Sequence, residues 1–198
     1  MIKVILWDAD GVIINKPRVF SQILAEKQSL PIEEILPFFK GPMNDCLIGQ
    51  ADLRQVILPY LTRWHWNGTV DDFLQFWLES ENFLDNRVLQ KIALLRQQGI
   101  HCYLATNQEK YRTAYMQTEM GLVQYVEKVF SSAYLGVKKP NPEFFAAILQ
   151  ELQAHTPTLQ HEEVLLIDDD PDNVAGAQNF GIQSFLYQNY NDLTKVIG

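Results

Sequence analysis

Hydrophobic residues in this chain fall into short unbroken runs, separated by longer stretches with helical spacing. Val4-Ile5-Leu6-Trp7 is almost wholly apolar and stops at Asp8 and Gly11. The runs Ile100–Ala105, Val129–Ala133 and Val164–Ile167 read alike, and Ser184–Tyr187 is a weaker fifth. Short apolar runs bounded by acid and glycine fit strands covered on both faces, as in a parallel sheet. Helical patterns lie between them. From Asn86 to Gln98, apolar residues recur at Val88, Leu89, Ile92 and Leu95, and Gly99 provides a stop. A second pattern spans Gln108 to Met120 before Gly121. Asn141-Pro142-Glu143 and Asp170-Pro171-Asp172 each place a capping side chain before a proline at the first helical position. The last of these helices ends near Gly181. Alternation of this kind predicts a doubly wound α/β sheet.

Residues 16–84 break the alternation. They hold no strand pattern and read as helices punctuated by Pro17, Pro31, Pro37, Gly41-Pro42, Pro59 and Gly68. Thr69, followed by Asp71 and Asp72, marks a helix start. Trp64, Trp66 and Trp77 lie here, beside Phe38, Phe39, Phe73, Phe76 and Phe83. The expectation is a helical module inserted after the first strand, with 1–15 and 85–198 forming the α/β core. Most of its aromatics are expected to build a small core of their own, with one or two left to line a ligand pocket.

Composition narrows the function classes. The chain of 198 residues is 47% hydrophobic and 20% charged, as expected for a globular protein with a sizeable core. Its formal net charge of −8 opposes binding to nucleic acid through phosphates. Cys46 and Cys102 lie far apart and in no metal-ligand spacing, so a cysteine zinc site is not expected. The apolar run at the amino end is too short for a signal peptide or membrane span. A soluble cytoplasmic protein is the expectation; the oligomeric state is left open.

In open α/β sheets ligands bind beyond the carboxyl ends of the strands. The first strand ends in Asp8-Ala9-Asp10-Gly11, the second in Thr106-Asn107, and the fourth in Asp168-Asp169-Asp170; Lys138-Lys139-Pro140 follows the third. Each group alone has an ordinary explanation: a turn, a helix cap or a solvated basic pair. Together they supply what a phosphate and a divalent cation need. Mg2+ between carboxylates and phosphoryl oxygens offsets the repulsion between an anionic nucleophile and a dianionic ester. Asp8, at the end of a buried strand, is the candidate nucleophile, and Asp10 the candidate general acid/base. Thr106 and Asn107, expected at a helix amino terminus, are candidate phosphate donors. A lysine balances charge, and Asp169 with Asp168 completes the metal shell.

These motifs, with Lys139-Pro140-Asn141-Pro142-Glu143-Phe144-Phe145 and with Asn173, Ala177 and Gly181 after the last acids, resemble those of haloacid dehalogenase-like hydrolases. The resemblance is to the branch with a helical cap after the first motif, on a Rossmann-like core. It implies Asp8 as nucleophile and metal ligand, and Asp10 as acid/base meeting the metal through its backbone carbonyl. It implies Thr106 as the phosphate-binding hydroxyl, Lys139 rather than Lys138 as the motif lysine, and Asp169 as the second main metal ligand beside Asp168. An acid at position 10 favours phosphoryl transfer over dehalogenation. The expected activity is hydrolysis of a small phosphate monoester, with a sugar phosphate suggested by analogy of fold and size. Alternatives are a phosphomutase, a haloacid dehalogenase, a phospho-accepting signalling domain and an inactive binding protein.

Overall fold

Four residues at the start of the chain, Val4–Trp7 (β1), form the middle of a five-stranded sheet. All four are buried, because alternate side chains enter different cores. Ile5 and Trp7 join one apolar cluster, and Val4 and Leu6 join the other. The computed structural model describes residues 1–197. The other strands are His101–Thr106 (β2), Val129–Ser131 (β3), Val164–Asp168 (β4) and Gln183–Leu186 (β5). Every pairing is parallel, in the order β3-β2-β1-β4-β5. The sheet order turns outward on either side of β1, which places a crevice at the carboxyl ends of β1 and its neighbours.

After β1 the chain passes through six helices: Phe20–Gln28 (α1), Ile32–Lys40 (α2), Met43–Leu47 (α3), Leu53–Val56 (α4), Leu58–Arg63 (α5) and Val70–Ser80 (α6). Thr69 caps α6 reciprocally with Asp72, as its sequence predicts. Phe20, Phe38, Trp64, Phe73 and Trp77 belong to a third apolar cluster, separate from the two that flank the sheet. The chain leaves and returns side by side: Asn15 N donates to Phe83 O at 2.8 Å, and Asp85 N to Ile13 O at 2.8 Å.

The remaining helices are Asn86–Gln97 (α7), Lys110–Gln117 (α8), Ser132–Leu135 (α9), Pro142–His155 (α10), Pro171–Phe180 (α11) and Tyr190–Val196 (α12). Asp85, Asn141 and Asp170 cap α7, α10 and α11 through their side chains. Two boundaries depart from the sequence expectation. α8 starts at Lys110 because the Glu109 carboxylate takes the Tyr111 and Arg112 N–H groups, at 2.7 and 2.5 Å. β3 stops at Ser131, where pairing with β2 ends, and the next residues turn into α9. α12 carries no marked apolar periodicity and is not evident in the sequence. Among the described residues no helix is long and apolar enough to cross a membrane.

Candidate active site

Parallel register brings the strand ends together. Trp7 pairs with Leu104 on one side and Ile167 on the other, so Asp8, Thr106 and Asp168 emerge on one edge. They face a cavity of about 370 Å³ that Asp8, Asp10, Thr106, Asn107, Lys139 and Asp169 help to line. A cavity of about 640 Å³ lies at the opposite, amino ends of the strands, beside Lys3, His101 and Glu127, and contains none of the predicted residues.

Lys139 lies at the centre of the acids. It is 2% exposed, and its Nζ donates to Asp8 Oδ1 at 2.8 Å and to Asp168 Oδ2 at 2.5 Å. Burial alone would lower its pKa, but Asp8 and Asp168 raise it above the ordinary lysine value. The lysine is therefore charged. Lys138 is elsewhere, donating to Asn44 Oδ1 at 2.6 Å. Asp168, fully buried, is held on its other oxygen by Asp170 N at 2.9 Å and Asn173 Nδ2 at 3.1 Å. α11 thereby orients Asp168, and Gly176 lets that helix lie close to the lysine loop. A Cβ there would come within 2.5 Å of Pro140 O.

Asp8, Asp168 and Asp169 each offer a carboxylate oxygen within 4.8 Å of the others. Three formal negative charges against the one positive charge of Lys139 leave a surplus of two. Burial drives the Asp8 carboxyl up to about 7, against the pull of Lys139 and with Asp168 adding to the rise. Burial, followed by Asp168, also raises Asp169. Hard oxygen donors with two surplus charges suit a small divalent cation such as Mg2+. The backbone leaves room for the third acid only because residue 11 is glycine. Its φ is +80°, and a Cβ would lie 2.0 Å from Asp169 Oδ2.

Asp10 has different surroundings. Its Oδ1 accepts from Arg112 Nη2 at 3.0 Å and Lys16 Nζ at 3.2 Å, and its Oδ2 from Gln108 Nε2 at 2.6 Å. Burial would raise its pKa, but Arg112 and Lys16 outweigh that and hold the carboxylate below its usual range. The expectation that Thr106 and Asn107 stand at a helix amino terminus is corrected, since α8 begins beyond Glu109. Thr106 still lines the cavity. The Asn107 side chain is engaged by the lysine loop: its Nδ2 donates to Lys139 O at 3.0 Å, and its Oδ1 accepts from Lys139 N at 2.9 Å. It holds the segment that carries the lysine. None of the aromatics of residues 16–84 lines this cavity; Lys16 and Val19 do. Lys16, Gln108, Arg112 and Glu81 are not evident from motif reading. Arg112 gave one weak signal, a charged residue beside Thr113 and Met116 on the buried side of α8.

The sheet, its all-parallel order and the acids at its carboxyl edge define a doubly wound α/β core with an acidic site in its crevice. The haloacid dehalogenase-like hydrolase family model matches residues 2–181, and the chain belongs to that family. A D-ribitol-5-phosphate phosphatase from Bacteroides thetaiotaomicron is 28% identical over 130 residues, covering 63% of this chain and 60% of that protein. A drimenol cyclase from Aspergillus calidoustus is 33% identical over 76 residues, 36% of this chain and 13% of the cyclase. The chain thus spans less than two thirds of either curated relative. The fold is also similar, at TM-score 0.81 and 20% identity, to a haloacid dehalogenase family enzyme from Bacteroides thetaiotaomicron. That enzyme was crystallised with magnesium and inorganic phosphate, and the match covers 98% of this chain and 99% of the other.

Proposed function

We propose that the protein is a Mg2+-dependent phosphatase that cleaves a small phosphate monoester through an aspartyl-phosphate on Asp8. The observation that carries this reading is the clustering of Asp8, Asp168 and Asp169 around one buried lysine, beside a cavity shared with Asp10 and Thr106. The relative that is a ribitol-5-phosphate phosphatase supports it, as does the similar fold crystallised with magnesium and phosphate.

In this reading Lys139 fixes Asp8 through Oδ1, and the other carboxylate oxygen attacks phosphorus. The P–O ester bond breaks, and Asp10 delivers a proton to the departing alkoxide. At rest Asp10 is ionised; a dianionic phosphate entering beside it raises its proton affinity. In the second half-reaction Asp10 takes a proton from water as the water oxygen attacks phosphorus. Inorganic phosphate leaves and the Asp8 carboxylate is restored. The Thr106 hydroxyl donates to a phosphoryl oxygen. Asp8, Asp169, the neighbouring Asp168 and the Asp10 backbone carbonyl would hold Mg2+, which would neutralise charge on the transferring group. Residues 16–84 act as a cap over the core formed by 1–15 and 85–198. The acidic chain selects against nucleic acid as substrate.

The test is phosphate release from p-nitrophenyl phosphate and a panel of sugar and polyol phosphates, with magnesium and with EDTA. Magnesium-dependent release of inorganic phosphate is the expected result. An isomerised phosphate ester in place of free phosphate would make the protein a mutase. No release from any ester would remove the phosphatase reading.

A further inference from the structure

Behind Asp10 lies a buried group of charges that the reaction above does not use. Glu81, 4% exposed, terminates α6 as the chain returns to the core. Its Oε1 accepts from Phe20 N at 3.2 Å and lies 2.9 Å from Lys16 Nζ in an ion pair. Its Oε2 accepts from Trp77 Nε1 at 3.1 Å and lies 3.0 Å from Arg112 Nη1, an ion pair outside hydrogen-bonding geometry. Arg112, 3% exposed, reaches from α8 to Asp10 with its other amino group. Arg112 Nε has no hydrogen-bond partner among the described residues.

We infer that Arg112 and Glu81, neither of which lines the cavity, are positioning residues that aim the Asp10 carboxylate for proton transfer to the leaving group. The inference rests on the reading of Asp10 as acid/base. Two acids and two bases form a formally neutral quartet, and only Asp10 and Lys16 of the four reach the cavity. Glu81 anchors Arg112 at one end of the guanidinium, and Arg112 holds Asp10 Oδ1 at the other. Gln108 holds Oδ2 at 2.6 Å. With both oxygens tethered, the carboxylate has one orientation toward an ester oxygen. Buried ion pairs contribute little net stability, because desolvation offsets their attraction. A well-packed apolar pair would serve a purely structural joint at least as well. The planar guanidinium supplies direction that an ammonium does not.

The experiment measures kcat/KM, which reports the steps through release of the alcohol, for a series of phosphate esters. They run from p-nitrophenyl phosphate, whose leaving group needs no proton, to glycerol phosphate, whose leaving group does. The enzymes are wild type, R112Q, R112K, E81Q and D10N, each with saturating magnesium and each checked for fold by circular dichroism. General acid catalysis contributes about 10²- to 10⁴-fold. R112Q is expected to lose at least about tenfold more activity on glycerol phosphate than on p-nitrophenyl phosphate, with partial recovery in R112K and a smaller selective loss in E81Q. Equal losses on both esters, or none, in R112Q and E81Q would overturn the inference. If R112Q does not fold, R112K and E81Q are read by the same criterion. D10N separates the two levels: uniform loss there removes the acid role itself. Selective loss in D10N with uniform loss in R112Q and E81Q removes only their positioning role.

Discussion

The buried acid at position 8 makes metal-free stability depend on pH in a direction the site geometry dictates. Burial lifts the Asp8 carboxyl from 3.8 to about 7, only partly checked by Lys139 and reinforced by Asp168. A carboxyl raised in the folded state binds its proton more tightly there than in the unfolded chain. Ionising it therefore costs stability as pH climbs from 3.8 through about 7. At about 1.4 kcal/mol per pH unit the full cost is roughly 4 kcal/mol, of which about 3 kcal/mol develops between pH 5 and pH 8. Lys139 behaves differently. Burial lowers it, but Asp8 and Asp168 raise it above 10.5, so it is protonated in both states throughout this window. Asp10 is held below 3.8 by Arg112 and Lys16 despite burial, so its favourable contribution is lost only at more acid pH. Asp8→Asn mimics the protonated acid and cannot ionise. Whatever constant offset the substitution brings, its stability in EDTA should gain on wild type by about 3 kcal/mol from pH 5 to pH 8. For a domain of this size that moves the difference in Tm by roughly 6–12 °C. Scanning calorimetry of both proteins in EDTA at stepped pH measures it. Magnesium at pH 8 should then stabilise wild type more than Asp8→Asn. A difference that stays constant or shrinks with rising pH would refute the reasoning.

Other perturbations follow from the same site. Lys139→Met removes the cation paired with buried Asp8 and Asp168. It should cost about 3–5 kcal/mol in urea unfolding and abolish phosphate release. Gly11→Ala forces a side chain onto the Asp169 carboxylate at a φ of +80°. It should cost about 1–3 kcal/mol and weaken magnesium binding by titration calorimetry, whereas unchanged affinity would separate Asp169 from the metal.

Much of this architecture was legible in the chain because each signal was local. β1 is four buried residues ending at Asp8. The caps at Asn141 and Asp170 lie directly before prolines. Asp8, Thr106 and Asp168 stand at or directly after strand ends, where parallel register brings them together, and Lys139 was legible from its motif on the loop after α9. What escaped depends on distance in sequence. Arg112 meets Asp10 across 102 positions, and Gln108 meets it across 98. Glu81 gathers hydrogen-bond donors from residues 20 and 77 and ion-pair partners from residues 16 and 112, and no spacing rule connects them. Asn107 reads as a phosphate donor because it was expected at a helix amino terminus; its amide closes a reciprocal pair with the Lys139 backbone at the lining of the same cavity. The start of α8 was misplaced because Glu109, not a small polar residue, is its cap.

In the proposed reaction Asp8 carries the phosphoryl group. The direct test is to quench the turning-over enzyme in acid, reduce the acyl phosphate with borohydride and map the modified residue by mass spectrometry. The expected modification is at Asp8, forms only with substrate and magnesium and is missing in Asp8→Asn, which should release no phosphate. Modification at another residue, or unimpaired turnover by Asp8→Asn, would contradict that role.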